Sequence, residues 1–344
     1  MTYYAALDVS LRSVAVCIID DQGNYHFEAK IPSEVENIVE CLEAFDGEIE
    51  LIGFEAGMLT QYLHYGLTGA GYPVMCLEAH HVSDALKAMR NKTDKNDARG
   101  IAQLLRTGWY RPVHVKSVGS HQVRAMLSSR RVILKKCIDL ENELRGLLRI
   151  FGTKLPPHLS HGTFEDVVRE RIEADPTFKE ALLPMLELRG LLYHAYVKLD
   201  TQVRRMARED AVCQRLMTVP GVGPVTALTF KAGVDDPTRF KNSRLVAAHF
   251  GLTPKRQQSG ETDYDGRISR KGDTDVRCAL YIAAHSLITR QKEASSLKAW
   301  GVKLMKTKGH RKATVAVARK LAVILHRMWI DGNDFQRHSE KRAA

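Results

Sequence analysis

Hydrophobic and polar positions divide the chain into three regions. Residues 3–19, YYAALDVSLRSVAVCII, read as an apolar stretch, a polar break and a second apolar stretch; DDQGN follows as a turn and YHFEAKI as a third extended segment. Short apolar runs bounded by Asp/Gly turns predict strands. ENIVECLEAF (36–45) has helical spacing, and IELIGFEAG (49–57) is a continuous apolar run ending in Glu55 and Gly57, as expected of a buried strand. TQYLHYGLTGAG predicts a helix closed by glycine. YPVMCLE predicts another strand, His80–His81 ordinary loop, and RNKTDKNDARGIAQLLR (90–106) a helix. Strands in hairpins first, then strands alternating with helices, predict a mixed α/β sheet over residues 1–118.

From residue 119 the period changes. Val123, Met126, Ile133, Cys137, Leu140, Leu144, Leu147 and Phe151 recur in alternating steps of three and four, with Arg130 in the one polar gap. That is a heptad seam. A second helix carries Met185, Leu188, Leu192, Tyr196, Leu199, Val203 and Met206, and LPPHLSHG (155–162) separates the two. Residues 119–210 therefore predict an antiparallel helical hairpin or an intermolecular coiled coil, and a dimer or tetramer contact is the favoured expectation. Beyond residue 211, LMTVPGVGPVTALTF holds a Gly-x-Gly turn between two apolar helical stretches, GLTPKRQQSGETDYDG (251–266) reads as a long polar loop, and SRKGDTDVRCALYIAAHSLITR and HRKATVAVARKLAVILHRMW read as amphipathic helices with basic faces.

Charge sharpens this division. The net charge is +11, but residues 211–344 hold 25 Lys+Arg against 11 Asp+Glu, while residues 1–210 hold 26 against 29. A basic C-terminal third beside a slightly acidic remainder suggests a polyanionic partner. The six cysteines are scattered without a CxxC pair and the 14 histidines form no HExxH pattern, which argues against a disulfide framework or a zinc site and fits a reducing cytoplasm. No apolar run is long enough to span a bilayer, and MTYYAALDVS does not read as a signal peptide.

The candidate chemistry lies in four acids. Asp8 and Glu55 each close an apolar strand, where an unpaired buried carboxylate costs several kcal/mol. Asp94 and Asp97 stand three residues apart, on one helix face, among Arg90, Lys92, Lys95 and Arg99. Each acid alone reads as a strand-terminal cap or a first-turn helix acid. Together, at strand ends and on a helix packed over them, they form a hard-oxygen set suited to Mg²⁺ or Mn²⁺ with positions left for phosphate oxygens.

LDVS…FEAG…NKTDKNDA resembles the ribonuclease-H-like, RuvC-type domain of the DEDD transposases of bacterial insertion sequences, the group that includes the Piv-type invertases; NKTDxxDA at residues 91–98 is its specific part. The resemblance implies that Asp8, Glu55, Asp94 and Asp97 are the metal-binding acids. It also implies that Ser259, in GLTPKRQQSG, is a nucleophile of a C-terminal transposase domain (211–344), with Lys255 and Arg256 beside it. Without that resemblance Ser-Gly in a polar loop is simply a turn. VPGVGPVTA resembles a helix–hairpin–helix turn, whose Gly221 and Gly223 would admit a phosphate to the backbone; Arg270 and Lys271 are further candidate nucleic-acid contacts. The expectation is a bacterial cytoplasmic DNA recombinase, acting on donor and target DNA, guided by a structured bridge RNA, with an active site shared between protomers. The competing readings are a metal-dependent nuclease or junction resolvase that uses water, and a DNA-binding regulator without activity. An actin-like sugar kinase also begins with an Asp-bearing strand hairpin, but no Gly-rich nucleotide loop follows.

Overall fold

A computed structural model describes residues 1–337 apart from 88, 90, 174, 175 and 261, so Arg90 lies outside the described residues. The chain divides into two compact units, Met1–Lys116 and Ser117–Ala344.

In the first unit, strands β1 (Tyr3–Val9), β2 (Ser13–Asp20) and β3 (Tyr25–Pro32) form an antiparallel meander, while β4 (Ile49–Glu55) and β5 (Val74–Leu77) run parallel to β1. The sheet order is β3-β2-β1-β4-β5. This is the mixed sheet that the alternation of elements predicts. Two-residue periodicity splits β1 and β4 between two cores. Ala5, Leu7, Ile52 and Phe54 face helices α1 (Val35–Glu43) and α2 (Thr60–Gly69). Ala6 and, on β2, Ala15 and Cys17 face α4 (Asp94–Thr107). The polar break DDQGN is closed by buried Asp20, which accepts from the backbone N–H groups of Gln22 and Asn24 at 2.9 and 2.8 Å. His80 and His81 are not loop: they lie on α3 (Ala79–Leu86), a short helix that the polar pair conceals in the sequence.

The second unit begins with α5 (Val118–Ile150) and α7 (Pro176–Glu209), which pack antiparallel: Arg130 pairs with Asp200 and, further along, Arg189 with Glu141. The heptad seam thus closes within the chain. An additional helix, α6 (His161–Ile172), starts where a plain break was expected, because Ser160 caps it by accepting from the Thr163 N–H. Leu144, Leu148, Phe164, Val168, Leu182 and Leu186 form a core at that end of the hairpin. At the other end Val203 and Ala207 of α7 enter one core with the C-terminal elements. Those elements are α8 (Ala211–Met217), α9 (Pro224–Val234), α10 (Arg244–His249), the strands β6 (Pro254–Ser259) and β7 (Thr262–Ile268), and helices α11 (Thr274–Thr289), α12 (Ser296–Lys308) and α13 (His310–Asp331). The expected polar loop at 251–266 is a β-hairpin. Its strands lack the apolar alternation of a half-buried strand: β6 is exposed throughout and β7 nearly so.

Candidate functional site

Sheet geometry brings the first two acids together. Leu7 pairs with Phe54 across the parallel β1–β4 ladder, so the next residues, Asp8 and Glu55, leave the sheet side by side at its carboxyl edge. Both share the α4 face, since Leu7 and Phe54 point the other way. Helix α4 lies close over this face. A Cβ on Gly53 would collide with the Leu105 side chain, and Ala98, Ile101, Ala102 and Leu105 bury against the sheet. Asp94 and Asp97 occupy the first turn of the same helical face, where the helix overhangs the strand ends. Thr93 sets that turn by accepting from the Asn96 N–H at 3.2 Å, and the Asn96 side chain donates to the Asn91 carbonyl at 3.0 Å. The NKTD stretch is therefore a helix cap as well as a source of acids.

Electrostatics shows that the four acids share one neighbourhood. Burial, and then the negative charges of Asp97, Asp94 and Glu55, push the Asp8 carboxyl up from 3.8 to about 6, with Lys92 opposing them. Glu55 is raised as well, by burial and then by Asp97, and is relieved by Lys92 and His80. Asp94 is held below the ordinary range by Lys30 of β3, 2.7 Å away. The other cations of the helix turn aside: Lys95 and Arg99 pair with Glu28 at 2.7 and 2.6 Å. Asp94 thus has a cation of its own, and it comes from β3 rather than from the neighbouring cations of its own helix. Among the described residues, no three of these acids bring their oxygens within 4.8 Å of one another. The residues nevertheless fit a divalent cation: they offer hard oxygens, and the repulsion that lifts Asp8 is what such an ion relieves. His80 was missed in the sequence because its place depends on β5, whose Leu77 pairs with Glu55 and so carries the start of α3 to the acid edge.

Cys137, Glu141 and His161 do bring ligand atoms within 4.8 Å of one another. That position already holds a cation. The fully buried Arg189 guanidinium donates to Glu141 at 2.6 and 3.0 Å and lies 3.1 Å from His161 Nδ1. A metal there would face an adjoining positive charge, so the trio does not fit one.

In the second unit, Ser259 ends β6, exposed, opposite Thr262 across the Gly260 turn. Lys255 is exposed on the same strand, and Arg256 is engaged by Asp263, its Nε donating at 2.8 Å. The hairpin's root is tight. A Cβ on Gly251 or Gly272 would strike the backbone of Lys271 or His249, respectively. Arg270 adopts φ 56°, donating its N–H to the Gly251 carbonyl at 3.1 Å, and Arg277 donates to the carbonyls of Phe250, Lys271 and Gly272. The Gly-x-Gly turn joins α8 to α9, but its glycines differ. Gly221, at φ 91°, packs on α11: a Cβ there would lie 2.6 Å from the Ala283 carbonyl. This gives Gly221 a packing role that the phosphate-contact expectation did not anticipate. Gly223 faces open space at the start of α9.

A sheet edge and a helix turn thus bring four carboxylates to one side of the first unit. Residues 5–152 match the DEDD transposase family of IS110 elements, and residues 213–299 match the family described as Transposase IS116/IS110/IS902 family. The putative transposase y4rJ of Sinorhizobium fredii is 35% identical over 298 residues, which cover 79% of this chain and 74% of that protein. The transposase for insertion sequence element IS1111A of Coxiella burnetii is 27% identical over 325 residues, covering 93% of this chain and 87% of that one. Among solved structures, T. thermophilus RuvC in complex with Holliday junction substrate is similar at 13% identity and a TM-score of 0.26, covering 33% of this chain and all of that one. The chain belongs to the IS110/IS116/IS902 family of insertion-sequence transposases, and its DEDD match takes in the first unit from residue 5 and continues through α5 of the second. Among the described residues no helix is long and apolar enough to cross a membrane.

Proposed function

We propose that this transposase cleaves and rejoins DNA strands with a divalent cation, Mg²⁺ or Mn²⁺, held by Asp8, Glu55, Asp94 and Asp97. One observation carries the reading: Asp8 and Glu55 stand side by side at the carboxyl edge of the sheet, and the helix packed on that face bears Asp94 and Asp97 in its first turn. When bound, the cation would polarise a phosphate and stabilise charge on the attacking or departing oxygen. The chain's own residues set the geometry around it. The β1–β4 register keeps Asp8 and Glu55 adjacent. The Thr93 cap fixes the turn that carries Asp94 and Asp97. Lys92 supplies positive charge facing Asp8 and Glu55, suited to a phosphate oxygen.

Ser259 is proposed as the nucleophile. Its Oγ loses a proton and bonds to phosphorus as the P–O bond to one DNA oxygen breaks, and that oxygen takes up a proton. One phosphoester replaces another, so the reverse exchange with a new DNA hydroxyl rejoins the strand without an external energy source. The exposed place of Ser259 at a hairpin end supports access to a large substrate. A structured bridge RNA as guide, a dimer or tetramer that pairs acids of one protomer with the serine of another, and action on nucleoid DNA in the bacterial cytoplasm complete the proposal; they rest on the family resemblance and the basic C-terminal region.

The test uses a supercoiled donor plasmid, guide RNA and Mg²⁺. Asp8→Asn should abolish strand cleavage while DNA binding persists. Ser259→Ala should abolish covalent protein–DNA adducts. Adducts and rejoining at wild-type levels in Ser259→Ala would remove the serine from the mechanism; cleavage without adducts in the wild type would favour hydrolysis.

A further inference from the structure

From Ala294 to Ile330 the chain contains nine lysines and arginines and no carboxylate. These residues build α12 and nearly all of α13, and the family match that ends at residue 299 leaves most of them uncovered. Elsewhere ion pairs are frequent: Lys30–Asp94, Arg99–Glu28, Arg130–Asp200 and Arg256–Asp263 are examples. Within this segment only Arg327, among the described residues, has an acidic partner, Asp331. Lys320 instead lies 4.8 Å from the Trp300 ring centroid, which brings α13 charge beside α12.

An open groove of about 450 Å³ runs along α12, with Lys292, Lys298, Lys303 and Lys306 as its charged lining and Ala299 and Val302 as apolar lining. Lys298 to Lys308 spans roughly 15 Å along a helix, long enough to meet several backbone phosphates. The chain then turns at Gly309 and continues with exposed Arg311 and Lys312. Both are in the first turn of α13, where positive charge opposes the helix dipole. A polyanion offsets that cost.

We propose that α12 and the first turn of α13 form a phosphodiester-backbone interface, separate from the Ser259 hairpin and the Gly221–Gly223 turn, which holds nucleic acid without reading its sequence. This rests on the reading that the chain handles nucleic acid, and not on the acid site. The observations favour a phosphate polymer over a lipid surface: the cations extend along α12 into the first turn of α13, and among the described residues no large hydrophobic side chain is exposed on α12 or on that turn to enter a bilayer.

The experiment uses the full chain in EDTA, which silences metal-dependent cleavage. Equilibrium binding to duplex DNA and to single-stranded RNA of equal length is measured across a salt series. The variant Lys303→Gln/Lys306→Gln/Arg311→Gln/Lys312→Gln is compared with a charge-matched control, Lys87→Gln/Lys136→Gln/Lys179→Gln/Arg205→Gln, whose cations each have an acidic partner. The interface variant should lower the slope of log affinity against log salt by about 2–4, with about 10–100-fold weaker binding near 0.1 M salt, and the control by less than about 1. A loss confined to duplex DNA, or to RNA, identifies which polymer occupies the groove. Unchanged slopes on both, or a loss seen equally in the control, overturn the proposal, as does weakened binding to anionic vesicles with nucleic-acid binding intact. If the wild type binds neither polymer in a salt-dependent way, the nucleic-acid reading itself fails. Thermal unfolding checks the fold, and the separate pairs Lys303→Gln/Lys306→Gln and Arg311→Gln/Lys312→Gln carry the test should the fourfold variant unfold.

Discussion

Asp8 is a carboxylate whose environment opposes its own ionisation. Its proton is held up to about 6 in the folded chain against 3.8 ordinarily. The folded state therefore binds the proton more tightly than the unfolded state. The penalty is absent below the ordinary value, grows as pH rises between the two, and is full above the folded value. Metal-free Asp8→Asn should be more stable than wild type by about 1–2 kcal/mol at neutral pH, after allowance for solvent screening, with the gain vanishing below about pH 4. Denaturant melts in EDTA at the two pH values measure this. Added Mg²⁺ should raise the melting temperature of the wild type and leave that of Asp8→Asn nearly unmoved. Asp273 behaves in the opposite sense. Burial alone would raise its carboxyl, but the ion pair with Arg124 and the N–H groups of Val276 and Asp275 outweigh it and hold the carboxyl low. Its contribution is present above the ordinary Asp range and fades as pH falls through its lowered value. Asp273→Ala should cost about 2–3 kcal/mol at neutral pH, from a lost cap and an orphaned Arg124, and less in acid.

Elements show where the sequence was readable and where it was not. Strand and helix patterns foretold the mixed sheet and the long helices: burial on both faces makes Tyr3–Val9 a near-continuous apolar run, and burial on one face gives Val118–Ile150 its helical period. The β6–β7 hairpin was invisible for the complementary reason: with neither face buried, its strands carry no alternation. The two glycines of the α8–α9 turn look equivalent in sequence and differ only through α11, a long-range neighbour. Gly221→Ala should destabilise by about 2–4 kcal/mol, from left-handed backbone strain and a backbone clash, whereas Gly223→Ala should stay within about 0.5 kcal/mol. Urea melts of the two variants decide it. In the helical hairpin, Glu141→Ala should cost about 3–5 kcal/mol by leaving Arg189 buried and unpaired, while Glu141→Leu/Arg189→Leu should recover most of that loss. The heptad pattern announced a helical pair, yet the same steps serve within one chain or between two; the Arg130–Asp200 and Arg189–Glu141 pairs show the within-chain case.

At the scale of the whole molecule, the first unit is acidic, with 10 Lys+Arg against 16 Asp+Glu, and the second basic, with 41 against 24, so the boundary of charge falls earlier than the composition of the C-terminal third suggested. The four acids were legible because strand ends and a helix turn are marked by local patterns that converge on one sheet edge. His80 and the charge pairing of Asp94 with Lys30 were not, since both depend on strand order. The hairpin of Ser259 carries a consequence of its own. A six-residue strand reaches roughly 20 Å, so the serine sits far out on a ribbon held at its base by the knot of Gly251, Gly272 and Arg277. Isolated two-stranded ribbons are marginal in water. Amide hydrogens at the tip should exchange with deuterium orders of magnitude faster than those of Arg270 and Ser269, and docking onto a substrate should slow them; the serine would then work as the end of an arm, steered from its shoulder and stilled only by what it grasps.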